Sequence, residues 1–324
     1  MTPWQHAKHL LAENQILVVL LALILGLALP DILRPLNAFS TQLLIIVFFT
    51  SSLRLSLHEL LDYAKDWKML LLANIFMLIV LPFSLFLPFT YFSTSWALAL
   101  LILGAMPTGM TIALVADFFG GKTSLALLVT STTSLLAPFT IPLVFKIAVG
   151  QNVPIPVLQM FWSLFLTIVI PFVFAMLVKR AVPRFVAKHD NHLRQLSVLA
   201  FGVLIAGIVA DTSGDTLIAL SMRDVIVISL FVIWMGALTW ASYSMIPWRQ
   251  PSERITIALC MVYLNNTLAL FIGDRFFHDQ GVVPKLIFLL VIVNVLLPPL
   301  KWVAAHIIHA EKPARLVKNN NLFT

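Results

Sequence analysis

The chain has 324 residues, 60% hydrophobic and only 11% charged, with a formal net charge of +7 and a mean hydropathy of +0.98. Soluble domains are roughly 45–50% apolar and about 25% charged, so a soluble enzyme or secreted module is excluded. The long continuous apolar runs also exclude a transmembrane β-barrel, and the single cysteine, Cys260, excludes a disulfide framework or a thiolate metal cluster.

Taken in chain order, apolar runs between polar or Pro/Gly breaks predict ten membrane helices at about residues 16–33, 40–56, 69–89, 96–118, 123–149, 157–178, 194–211, 223–245, 254–276 and 283–308. The expected architecture is an all-α membrane protein with a single polytopic domain over 1–324, its last residues, 309–324, forming a cytoplasmic tail. The first run follows a weakly basic stretch with Lys8, His9 and Glu13, and no small-x-small cleavage site comes after it. It reads as a retained span rather than a signal peptide.

Of the 21 Lys and Arg residues, sixteen fall on one side of this arrangement: Lys8, Arg54, Lys65, Lys68, Lys122, Lys179, Arg180, Arg184, Lys188, Arg194, Arg249, Arg254, Lys301, Lys312, Arg315 and Lys318. Arg34, Lys146, Arg223, Arg275 and Lys285 fall on the other. Short loops rich in Lys and Arg stay in the cytoplasm, so both termini are expected there, in a plasma (bacterial inner) membrane. The basic balance then needs no nucleic acid partner. Trp67, Trp96, Trp248 and Trp302 sit near predicted span ends, where indoles prefer the headgroup region, while Trp234 and Trp240 lie inside the eighth span and are expected to pack.

Two spans are interrupted. The fourth carries Gly104, Pro107, Thr108 and Gly109 at its midpoint, and the ninth carries Asn265 and Asn266. Proline removes a helical donor and clashes with the preceding turn. In lipid the freed backbone groups must find partners, so such a break survives only within protein or beside a watery cavity. A single Pro/Gly break is most often a kink, and paired Asn can be interhelical glue.

Their positions argue for more. They are the fourth span of the first five and the fourth of the second five, giving repeats of about 16–149 and 157–308. Thr111-Ile112-Ala113-Leu114 follows one break and Thr267-Leu268-Ala269-Leu270 the other. The fifth and tenth spans carry Pro138 and Pro142, then Pro298 and Pro299. Five is odd, so the halves would be inverted, and matching broken segments point to a midplane transport site.

These residues resemble the bile acid:sodium symporter family, within the wider bile/arsenite/riboflavin transporter group. The resemblance runs from about residue 16 to 305 and is strongest in PTGMTIALVADFFGGKTSLALLVTSTTSLLAPFTIPLV at 107–144, with FFTSSLRLSLHELL and Leu204–Ala210 adding to it. It implies ten spans in two inverted repeats, a panel and a core bundle, crossing broken helices, and secondary transport of small organic anions, usually driven by sodium.

Several family positions have changed. The Ser-Asn pair after the break proline becomes Ile112 and Ala113; a Ser of the following helix becomes Ala126, though Thr130 is kept. The ninth-span Glu becomes Met261 or a neighbour, with Asn265-Asn266 replacing a Gln-Asn pair; a third-span Gln becomes Met77, and the Asp of a Gly-Asp pair becomes Lys122. Sodium is a hard cation that wants oxygen ligands. The resemblance therefore carries over the fold without the sodium sites, and leaves Na+ or H+ coupling open.

The expected substrate or ion lining is Thr108, Thr111, Thr130, Thr133, Asn265 and Asn266, with Asp211 at the end of the seventh span as a further acid. Broken helices aim positive N-terminal ends at the midplane, which favours an anion. One charge crossing 100 mV exchanges about 2.3 kcal/mol, so an uncoupled anion only runs down its gradient. The leading expectation is a secondary transporter of small organic anions with altered coupling. The alternatives are a transport-inactive membrane sensor or assembly subunit, and an arsenite-type exporter using Cys260. Catalytic and metal motifs are missing, so neither an enzyme nor a cofactor is expected.

Overall fold

The computed structural model describes residues 15–55, 67–109, 111–150, 155–212 and 221–296. The described residues are helical apart from turns and one isolated backbone bridge. In chain order the helices are α1 (Gln15–Ala28), α2 (Ser40–Ser52), α3 (Trp67–Tyr91), α4a (Thr94–Gly104), α4b (Ile112–Phe118), α5 (Thr123–Val149), α6 (Val157–Ala181), α7 (Asp190–Thr212), α8 (Met222–Ser244), α9a (Pro251–Val262), α9b (Asn266–Phe277) and α10 (Val283–Leu296). Among the described residues six helical segments are long and apolar enough to cross a membrane: α3, α5, α6, α7, α8 and the run Pro30–Ser52 that ends in α2. The fourth and ninth predicted spans fall short of that length because each is cut in two.

Proline accounts for the irregular turns. In α3 a wide π turn, Phe76–Val80, precedes Pro82, and in α6 a second, Phe165–Val169, precedes Pro171. A proline ring displaces the carbonyl four residues back, and a wider turn absorbs the clash. Pro138 and Pro142 instead stay inside continuous α5.

The helix pairings fall into two groups that are joined where α5 packs on α6 and α9b on α7. α7 lies against α1 and α2, and α6 against α2. In the second group α3 packs on α4a, α8 on α9a, and α5 on α4b and α9a. The Leu286 side chain of α10 fills the space at Gly273 of α9b. α4a is buried on every side from Trp96 to Gly104, the mark of a helix enclosed by others. At the periphery, Leu158, Trp162, Leu166, Ile170, Phe174 and Leu177 form an exposed apolar stripe along α6, a surface suited to lipid tails. The sequence reading of three tryptophans needs correction. Trp96 is buried, its indole N–H donating to Asp224 Oδ1 at 2.6 Å, because a partner was available inside. Trp234 and Trp240 face outward rather than packing, since α8 turns Val227, Phe231 and Met235 inward.

Among the described residues, the following loop and helix-end contacts each join residues that the sequence reading puts on one side. At one end Arg54 pairs with Asp190, Lys179 Nζ donates to the Leu55 carbonyl, and Lys122 pairs with Glu253. At the other Arg34 meets Asp211, Arg275 donates to Thr41, and Trp96 donates to Asp224. The termini, Pro298, Pro299, Trp302, Asp215 and the proposed tail lie outside the described residues.

Candidate functional site

α4a ends at Gly104 and α9a at Val262, and the two interrupted stretches meet. Thr108 and Leu264 face each other in an antiparallel bridge. The Gly109 N–H donates to the Tyr263 carbonyl at 2.8 Å, and the Asn265 N–H donates to the Pro107 carbonyl at 2.8 Å. Each break thus supplies a donor and an acceptor to the other, which is how backbone freed from a helix is satisfied away from water. Gly109 permits the approach: a Cβ there would lie 2.9 Å from the Tyr263 ring carbons.

The side chains tighten the crossing. Thr108 is fully buried, with its hydroxyl within reach of the Cys260 carbonyl at 3.2 Å and of Met77 Sδ at 3.4 Å. Thr111 Oγ1 and the Tyr263 hydroxyl are 3.0 Å apart. Asn265 caps α9b, its Oδ1 accepting from the Leu268 N–H at 3.1 Å. Its Nδ2 is buried with no hydrogen-bond partner among the described residues. Asn266 is buried as the first residue of α9b. The crossing therefore gathers Thr108, Thr111, Asn265 and Asn266.

The hydroxyl-rich turn of α5 divides in two. Ser131 and Thr133 bond back to carbonyls of their own helix, and Thr132 does so while accepting from Asn74 of α3. The Thr130 and Ser134 hydroxyls are buried without a partner among the described residues. Asp211 lies apart from the crossing, at the far end of α7 beside Arg34 and Asn37, with its side chain 31% exposed.

Positions where oxygen ligands would be needed are apolar. Ile112 and Ala126 are fully buried, as are Met77 and Met261. The nearest buried acid on α9a is Glu253, two turns before Met261, where Lys122 Nζ sits 3.0 Å from Oε1 and Arg249 3.7 Å from Oε2. None of the Ile112, Ala126, Met77 and Met261 side chains offers the oxygen that a hard cation takes as ligand. Cys260 is buried, with no exposed thiol to offer a soft ligand.

The sequence reading missed Tyr263, Asn74 and Glu253. Tyr263 stands two residues before Asn265, and its aromatic character hid a hydrogen-bonding hydroxyl. Glu253 reads as the acid of a helix start, three residues after Gln250, and it does form that capping box. Its burial follows from the approach of Gly121, where a Cβ would meet Thr256 Oγ1 at 2.6 Å.

Over residues 41–220 the sequence matches the sodium bile acid symporter family. The chain belongs to that family. The matched stretch holds the first break and not the second, so the backbone bridge is what ties the unmatched α9 to the family's segment. Symporters are membrane transporters, and with its apolar helices this sodium bile acid symporter family member is an integral membrane protein of a transporter family. Curated proteins give no match.

Proposed function

We propose that this chain is a secondary transporter of a small organic anion, working by alternating access around the crossing, with coupling that does not use the family's sodium ligands. One observation carries the reading: the reciprocal bridge at Thr108 and Leu264. A protein that kept the fold only as a scaffold would have no need to hold two helix breaks face to face. The 156-residue separation of Thr108 and Leu264 is also that of Thr111 and Thr267 and of Pro142 and Pro298. This common offset supports two inverted repeats and ten spans. The one-sided loop contacts support the alternation that places both termini in the cytoplasm.

The anion preference rests on donors. Among the described residues the Asn265 Nδ2 is a buried donor without an acceptor, beside the N-terminal end of α9b. A groove of about 750 Å³ between α6, Thr41 and Arg275 adds a guanidinium at an apolar mouth. We place Thr108, Thr111, Thr130, Thr133, Asn265 and Asn266 around the binding site and assign Asp211 to a separate cluster.

The test is ligand-induced thermal stabilisation of the purified full-length protein across carboxylates and sulfonates, in sodium and in potassium. Stabilisation by an anion in both salts is expected. Strict dependence on sodium would overturn the altered coupling, and no stabilisation by any anion, together with unchanged uptake in Asn265→Ala, would overturn the transporter reading.

A further inference from the structure

Outside the crossing, three chain-distant segments converge at the end of the molecule that carries Arg34 and Arg275. Asn37, between α1 and α2, donates through its single Nδ2 to Asp211 Oδ2 at 2.9 Å and to Asp274 Oδ2 at 3.2 Å. Asp211 belongs to α7 and Asp274 to α9b, so the amide bridges two helices that pack together. His278, one turn beyond Asp274, brings Nδ1 to 3.4 Å from Asp274 Oδ1. Arg34 reaches Asp211 Oδ1 at 3.7 Å. Gly207 lets the segment settle on α7, since a Cβ there would lie 3.0 Å from the Asn37 nitrogen.

Two features set this cluster apart from a solvated acidic patch. The Asp274 side chain is only 10% exposed, and among the described residues its buried Oδ1 has no well-aligned hydrogen-bond donor, His278 Nδ1 standing 3.4 Å away. The Asn37 Oδ1 is likewise buried without a donor among the described residues. Both orphans are acceptors. What the cluster lacks is positive: two carboxylates face one guanidinium and an imidazole that is charged only when protonated.

We propose that Asp211, Asp274 and His278 form a divalent-cation site, with the Asn37 amide oxygen as a fourth donor. One ligand atom from each of the three residues lies within 4.8 Å of the others. A point within about 2.8 Å of all three therefore exists, and modest contraction brings it to the roughly 2.0–2.6 Å of bound divalent ions. Two carboxylate oxygens with an imidazole nitrogen suit a metal of mixed oxygen and nitrogen preference, of the Mn2+ or Zn2+ class. A half-turn of the Asn37 amide exchanges its shared donor for the orphaned acceptor. Asp211 and His278 are 31% and 49% exposed, which gives an ion access from solvent. Since α7 and α9b already pack together, a bound ion would tie them more tightly at this end.

The test is Mn2+ titration of the purified full-length protein, read by calorimetry for stoichiometry and by pulsed electron paramagnetic resonance for coordinated nitrogen. One ion per chain with an imidazole nitrogen signal is expected. His278→Gln should remove the nitrogen signal and weaken binding by about tenfold or more, and Asp274→Asn should abolish binding. Because Asp274 is buried and its variant can fail to fold, the half-exposed His278 provides the second variant. His189 and His192 lie with rings 6.0 Å apart among residues of the opposite end, so His189→Gln serves as the control and should change nothing. Absence of saturable binding, binding unaltered by His278→Gln, or binding lost in His189→Gln would overturn the proposal.

Discussion

Thr108 and Leu264, 156 residues apart in the chain, are held opposite one another by two backbone hydrogen bonds of 2.8 Å. The bonds are reciprocal, since the residue after each bridge position donates to the residue before the other. A two-fold relation between the halves would produce this pattern without further adjustment, because a contact on such an axis repeats itself. A kink induced by Pro107 alone would leave its freed groups to whichever neighbour was nearest.

Gly109 tests the closeness of this contact. A side chain there meets the Tyr263 ring at 2.9 Å and the Leu264 carbonyl at 3.3 Å. Gly109→Val should destabilise the protein by about 1–3 kcal/mol through overpacking. A lowered unfolding midpoint with lost anion stabilisation is expected. An unchanged midpoint would mean that the crossing is looser than the geometry requires.

Lys122 and Glu253 form the second measurable contact. Glu253 is buried, and Lys122 also fixes the turn through its backbone N–H on Thr256 Oγ1 at 2.7 Å. Removing one partner of a fully buried pair costs about 3–5 kcal/mol. Lys122 is 33% exposed and Arg249 stays near Glu253, so Lys122→Met should cost less, about 1–2 kcal/mol. The double variant Lys122→Met with Glu253→Gln should recover part of that loss, because the buried carboxylate that lost Lys122 is then neutral, with Arg249 the one charge remaining of these three. Additive losses in a denaturation cycle would show that the two residues act separately.

The breaks were legible because Pro107, Gly109, Asn265 and Asn266 interrupt otherwise continuous apolar runs, and the resemblance of 107–144 to a known family gave them a place. Which side chains meet was less legible. Hydropathy says how apolar a span is, not which way each residue faces, so it shows neither that Trp96, at the start of α4a, is buried nor that Trp240 faces outward. Asp211 shows a different limit. As a single acid at a span end it has no visible partner, and its link to Asp274 through Asn37 exists only after three distant segments are brought together. Glu253 had a sufficient local reason, helix capping, which concealed its burial.

The two tryptophans should respond differently to the same change. Trp96→Phe removes a buried indole and its bond to Asp224, and should cost about 1–3 kcal/mol. Trp240→Phe alters an outward face that is 69% exposed and should stay within about 0.5 kcal/mol of the parent. Equal unfolding shifts for the two variants would contradict the orientation of α4a and α8.

Asn265 separates holding the fold from binding the anion, because its two side-chain atoms do different work. Oδ1 caps α9b through the Leu268 N–H, while Nδ2 is the buried donor left without an acceptor. Asn265→Ala loses both and should cost about 0.5–2 kcal/mol of stability for the cap alone. Asn265→Asp keeps an oxygen in the capping position, where a helix N-terminus favours a carboxylate, and replaces the donor by an acceptor. Its unfolding midpoint should therefore stay nearer the parent than that of the alanine variant, while anion-induced stabilisation disappears, since a negative charge now faces the substrate. If Asn265→Asp retained anion stabilisation, the donor would not be part of the binding site and the crossing would be structural at that residue. If only Asn265→Ala lost it, the cap rather than Nδ2 would carry the effect, through the register of α9b.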